Sequence, residues 1–168
     1  MSSSVSLSES VATENFQDRP IAVELVESAR NEIQQWYNTF YQWSRGLCPR
    51  EDQYIQPIFK ALAEDFRVIL TNGEMMDKSE YWFRLKSLHG SREADPASHI
   101  SNLSIQSIDD EHVLVYFDLF KQGVAKKKCD SALLRKSTIT SSGMEWIYVH
   151  ESAHELTQAP DFIGDTIQ

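Results

Sequence analysis

The chain has 168 residues, 41% of them apolar and 24% charged, enough for one domain with a sizeable core and too few for two of ordinary size. Sixteen Lys and Arg face twenty-five Asp and Glu, and a net charge of −9 argues against a nucleic-acid partner held by counterion release. No window approaches the roughly 18 uninterrupted apolar residues of a membrane span, so no membrane partner is expected.

Residues 1–19 lack the basic start and apolar run of a signal peptide, and Glu9, Glu14 and Asp18 argue against a transit peptide. They read as a polar tail before a domain over 20–156, with a second tail over 157–168. Cys48 and Cys129 lack metal-type spacing, which suits a reduced, cytoplasmic protein.

From Ile21 to about Trp43, apolar residues recur at Leu25, Val26, Ala29, Ile33, Trp36, Tyr37, Phe40 and Trp43, tracing one face of a long helix. Pro20 suits its first turn, and Gly46 lies just past its end. A second helix is expected over Asp52–Ala63, broken or restarted at Pro57. Phe66–Leu70 then switches to strand formers and stops at Thr71-Asn72-Gly73. Asp77 or Ser79 can cap a third helix that runs through Trp82 to Leu88 and ends near Gly90.

Beyond the loop 91–96, strands are expected over His99–Ile108, His112–Phe120, Ala125–Ile139 and Met144–Ser152, separated by hairpin-length turns. Lys126-Lys127-Lys128 reads as a solvated hairpin flank. Helices first and an antiparallel meander second describe an α+β fold with helices on one sheet face.

The last strand runs into His150-Glu151-Ser152-Ala153-His154, which fits the H-E-x-x-H pattern of zinc proteases. That pattern needs a helix, where residues four apart share a face. The lead-in Trp146-Ile147-Tyr148-Val149 is strand-forming, and on a strand the two histidines lie about 13 Å apart at ~3.3 Å per residue. Zinc–nitrogen bonds of about 2 Å do not bridge such a gap. A third ligand is missing too, with Thr157 and Pro160 where one arrangement needs glycine and histidine. No metal and no cofactor is expected.

Taken together, three passages resemble the nuclear transport factor two-like superfamily, which includes SnoaL-like cyclases, ketosteroid isomerase, scytalone dehydratase and the association domain of calcium/calmodulin-dependent kinase II. They are Leu62–Glu80 with its Gly73 turn, His99-Ile100-Ser101-Asn102, and Leu133–Lys136 with Gly143, Trp146, Val149-His150 and Ser152. The resemblance covers about residues 20–155. It implies a cone-shaped roll: three N-terminal helices packed on a strongly bent, mainly antiparallel sheet, open at one end into a pocket, with pairing through the sheet into a homodimer.

Strand alternation puts Trp146, Tyr148, His150 and Ser152 on one face, and His99 and Ser101 with Leu103 and Ile105. Either face of each strand can line a cone on alternation alone. His150 or His99 can serve as general base or acid, oriented by Asp118, with Tyr37 or Tyr148 donating to a developing enolate. Trp36, Phe40, Trp82, Arg135 and Trp146 complete a candidate wall for a small apolar or aromatic ligand. Each also has a structural reading, as a bonded strand histidine, a solvated carboxylate, a paired arginine or a core aromatic. Two classes follow: a SnoaL-like small-molecule-binding protein with proton-transfer chemistry such as isomerase, cyclase or dehydratase, or a non-catalytic interaction module. An open cone favours the first and a filled one the second.

Overall fold

The computed structural model describes residues 20–95 and 98–160; the expected tail over 1–19 and the final residues of the second tail lie outside the described residues. Helix α1 (Pro20–Ser44) buries Leu25, Ala29, Ile33, Trp36 and Trp43, the stripe that its apolar spacing demands. It closes on Gly46 at φ 68°, where Leu47 N–H donates to the Gln42 carbonyl and Gly46 N–H to that of Trp43. These are the paired bonds of a left-handed helix stop.

Helix α2 (Asp52–Ala61) passes without a loop into β1 (Leu62–Ile69), four residues before the expected strand start. Tertiary contact decides this. Leu62 and Ala63 are buried, and Leu62 pairs with Trp146 of the last strand. The short β2 (Met75–Asp77), absent from the sequence reading, folds back on β1 just before α3 (Lys78–Ser87). Asp77 accepts from Glu80 N–H at 2.9 Å while the Glu80 carboxylate accepts from Asp77 N–H at 2.9 Å. This reciprocal cap starts α3 where the sequence expected it.

Strands β3 (Ser98–Ser107), β4 (His112–Lys121), β5 (Lys126–Lys136) and β6 (Met144–Glu155) form the meander, and the six strands run in the order β2-β1-β6-β5-β4-β3. Every pairing is antiparallel except β1 with β6. The inner sheet face, including Val113, Val115, Phe117, Ala132 and Leu134, packs against α1 in a single core. Each fully buried Val, Leu or Phe of this set contributes about 1.5–3 kcal/mol.

Two bulges change what the strands present. In β6, Leu134 pairs with Trp146 but Leu133 pairs with Tyr148, so Ile147 is an extra residue. In β3, Ser101 pairs with Asp118 and Ser104 with Tyr116, with Asn102 at φ 53° in the inserted step. Bulges bend and twist a sheet, which a cone requires, and each one inverts the alternation beyond it. The expected single face of Trp146, Tyr148, His150 and Ser152 is therefore corrected. Trp146 points inward with Val149, Glu151 and Ala153, while Tyr148, His150 and Ser152 point outward. Likewise Ser101 faces outward, opposite Asp118, and Ile100, Leu103 and Ile105 face the core.

Candidate functional site

Between α1, α3 and the inner face of β3–β6 lies an open cavity of about 610 Å³. Its aromatic wall follows from helical spacing. Trp36, Tyr37 and Phe40 of α1 meet Tyr81 of α3 and Trp146 of β6. Trp36 packs on Trp146 with ring centroids 4.9 Å apart and lies parallel to Tyr81 at 6.5 Å. Below them Trp146 Nε1 donates to Glu32 Oε1 at 2.8 Å, and the Ser142 hydroxyl donates to the other oxygen of the same carboxylate. Burial pushes the Glu32 carboxyl up, partly offset by these two bonds.

The polar part of the wall comes from β5 and β6. Lys128, Asp130, Ala132 and Leu134 alternate inward along β5, and Asp130 pairs directly with Glu151 of β6. Two carboxylates opposite each other repel unless a cation bridges them. Lys128 supplies it, with Nζ 2.9 Å from Glu151 and 3.1 Å from Asp130. Tyr37 donates its hydroxyl to Asp130 Oδ2 at 2.9 Å. Among the described residues Asp130 Oδ1 is the buried side-chain oxygen left without a partner.

The electrostatics follow from this geometry. Burial raises the Asp130 carboxyl above its ordinary value, and neighbouring Glu151 adds to the rise, against Lys128 and the Tyr37 bond. Lys128 stays a cation: burial disfavours its charge, but Asp130 and Glu151 together raise it. Burial and then the Asp130 charge hold the Tyr37 phenol well above its usual value. Tyr81 is raised by burial and by the charges of Glu151 and Asp130, with Arg84 and Arg92 opposing. The arrangement can accept a proton or a hydrogen bond at Asp130 Oδ1, inside an apolar chamber.

Of the residues expected from sequence, Trp36, Tyr37, Phe40, Trp146 and His99 line this cavity. His150, Tyr148, Asp118 and Arg135 lie on the outer sheet face. His150 is exposed; Arg135 donates to Glu145 from Nε at 2.8 Å and from a terminal amino group at 2.5 Å. Asp118 is buried on that outer face beneath Asn102, Lys127, Tyr116 and Cys129. Trp82 packs on Phe59 between α2 and α3, with ring centroids 4.9 Å apart, away from the cavity. H-E-x-x-H lies wholly within strand β6, so no helix stacks its two imidazoles. Among the described residues no group of three His, Cys, Asp or Glu is placed to hold a metal ion.

The sequence pointed to Glu151 only within H-E-x-x-H and not to Asp130, and the solvated reading of the lysine run is corrected. Lys128 is inside the cone, and Lys127 folds onto Asp118 at 3.0 Å. A signal was present: Lys128, Asp130, Ala132 and Leu134 are spaced two apart, so a charged pair shares its strand face with core residues.

A bent six-stranded sheet wrapped on three helices, with a chamber at its open end, defines the nuclear transport factor two-like, or cystatin-like, α+β fold. No protein-family model and no curated protein matches the sequence. Solved structures do. A nuclear transport factor two-like protein of unknown function from Pseudomonas aeruginosa superposes with a TM-score of 0.61 at 15% identity, over 76% of this chain and 98% of that one. A hexachlorocyclohexane dehydrochlorinase from Novosphingobium barchaimii gives 0.54 at 11% identity, over 82% and 96%. The CaMKII hub of S. rosetta gives 0.56 at 9% identity, over 79% and 96%. These likenesses establish the fold, which hosts both a dehydrochlorinase and a CaMKII hub.

Proposed function

We propose that the protein is a SnoaL-like small-molecule-binding protein whose ligand occupies the cone and offers a hydrogen-bond donor, or an acidic proton, to Asp130. One observation carries this reading: the cone is open, and the buried Asp130 Oδ1, unpartnered among the described residues, belongs to a carboxyl on its wall. A buried acceptor without a partner costs about 1–3 kcal/mol, a cost that a bound donor removes. The raised carboxyl also suits proton abstraction beside a carbonyl, the step shared by isomerases and cyclases. Native mass spectrometry of protein purified from its own host tests the reading. A bound small molecule that is lost in Leu119→Trp, which fills the cavity, supports it; an empty protein that also fails to bind any member of a carbonyl-compound library overturns it.

Association into a homodimer is supported by the outer face. There Leu114, Leu133 and Tyr148 stand side by side across β4, β5 and β6, and Leu114 is 44% exposed. Sedimentation of Leu114→Glu is expected to show monomer where the unaltered protein shows dimer; a monomeric unaltered protein contradicts this part of the reading.

A further inference from the structure

The cavity's charge runs against that of the molecule. The chain carries a net charge of −9, yet among its described residues seven Lys and Arg line the cavity against three Asp and Glu. Most of these cations are already committed. Lys121 pairs with Asp95 at 2.5 Å, Lys126 with Glu155 at 3.5 Å and Lys127 with Asp118, while Lys128 bridges Asp130 and Glu151. Arg45 donates to the Asp95 carbonyl.

Arg84 and Arg92 are different. Both line the cavity, and neither has a carboxylate within ion-pair distance among the described residues. Arg84 is exposed on α3, one turn from Tyr81 and Leu88, which line the same chamber. Arg92 is fixed at the end of the following turn, where its backbone N–H donates to the Ser44 carbonyl at 2.9 Å and Gly90 N–H to Trp43. The Arg92 guanidinium lies over the Phe40 ring, 5.3 Å from its centroid. Stacking of this kind occupies the face of the guanidinium and leaves its edge N–H groups for an anion. The two arginines also bear on the chamber's interior, since both oppose the rise of the Tyr81 hydroxyl.

We propose that the ligand is an amphipathic organic anion: its acidic head group is held at the cavity mouth by Arg84 and Arg92, and its apolar or aromatic body enters past Phe40, Tyr37 and Trp36. The proposal rests on the reading of the cone as a ligand site. The oxyanion chemistry is shared by carboxylates, sulfonates and phosphate esters, and planar guanidinium groups engage each of them by paired hydrogen bonds. Lys128, held between two carboxylates deeper in the chamber, is occupied, so the mouth is where the negative charge is met.

Two fluorescent probes test this on the full chain: 8-anilino-1-naphthalenesulfonate, and N-phenyl-1-naphthylamine, the same ring system without the sulfonate. The sulfonate is expected to bind about tenfold more tightly, and its affinity to fall as salt is raised. Arg84→Gln and Arg92→Gln each weaken it about threefold or more and leave the neutral probe within about twofold. Leu119→Trp, or Ile100→Trp if the first fails to fold, abolishes binding of both probes. Equal affinity for the two probes, or a sulfonate affinity indifferent to both arginine changes, overturns the anion proposal while a blocked Leu119→Trp still upholds the ligand site. Probe binding that persists in the cavity-filled variants overturns both readings.

Discussion

Asp118 and Asp130 sit on neighbouring strands, each 1% exposed, each within reach of a tyrosine hydroxyl and a lysine, and they behave in opposite ways. On the outer face Asp118 accepts from Asn102 at 2.8 Å, Cys129 at 2.9 Å, Lys127 at 3.0 Å and Tyr116 at 3.2 Å. Burial alone would raise it, but those four donors outweigh burial and hold it at about 2. On the inner face Asp130 has Tyr37 and Lys128 on one oxygen and nothing on the other, and burial wins. Two carboxyls equally hidden from solvent therefore differ: Asp118, just beneath the outer surface with four donors, is a locked structural carboxylate, and Asp130, deep in the interior with two, is raised and under-partnered. Depth of burial and the number of donors together decide which.

The comparison can be tested by stability before any ligand is known. Asp118→Asn is expected to have the largest effect, a loss of about 2 kcal/mol at neutral pH. That corresponds to a fall in Tm of about 4–8 °C for a chain of this size. Because the folded value of Asp118 lies below the ordinary 3.8, its contribution is present above pH 4 and disappears as pH falls toward 2. Urea denaturation across that range should show an acid limb in the unaltered protein that Asp118→Asn flattens. An unchanged limb would mean that the four donors do not lower this carboxyl.

Asp130→Asn is expected to be smaller and of opposite sign. A carboxyl whose folded value is raised costs stability once pH rises through the ordinary carboxylate range, since the unfolded chain ionises first. The amide removes that cost, and at neutral pH the variant should match the unaltered protein or exceed it by up to about 1 kcal/mol. The same urea series measures it. A loss of 2 kcal/mol or more would assign Asp130 to the fold instead of the site.

The contrast also marks how far the sequence could be read. Local signals identified the α1 stripe, the Gly46 stop, Asp77 as one of two candidate caps for α3 and the hairpin turns, because each is a property of a few adjacent residues. The family resemblance on Leu62–Glu80 and the last hairpin implied the cone, and the fold agrees. Side-chain direction was not local. One inserted residue at Ile147 turned His150 and Tyr148 outward and brought Glu151 in, and the step at Asn102 did the same for Ser101. A bulge is set by the curvature that the sheet adopts around α1, so alternation read without it selects the wrong set beyond that point. Trp36, Tyr37, Phe40 and Trp146 were legible because they lie on α1 or before the β6 bulge. Asp130 was hidden by its neighbours, since Lys126-Lys127-Lys128-Cys129-Asp130 has the composition of a surface flank.

The interior carboxyl is thus the one left open for chemistry, while the exterior one is closed. Carbon-detected NMR titration of the aspartate side-chain carboxyls tests it most directly, following Asp118 and Asp130 in the same sample with Asp130→Asn for assignment. A midpoint near 2 is expected for Asp118 and one above 3.8 for Asp130. A midpoint for Asp130 at or below that of Asp118 would contradict it.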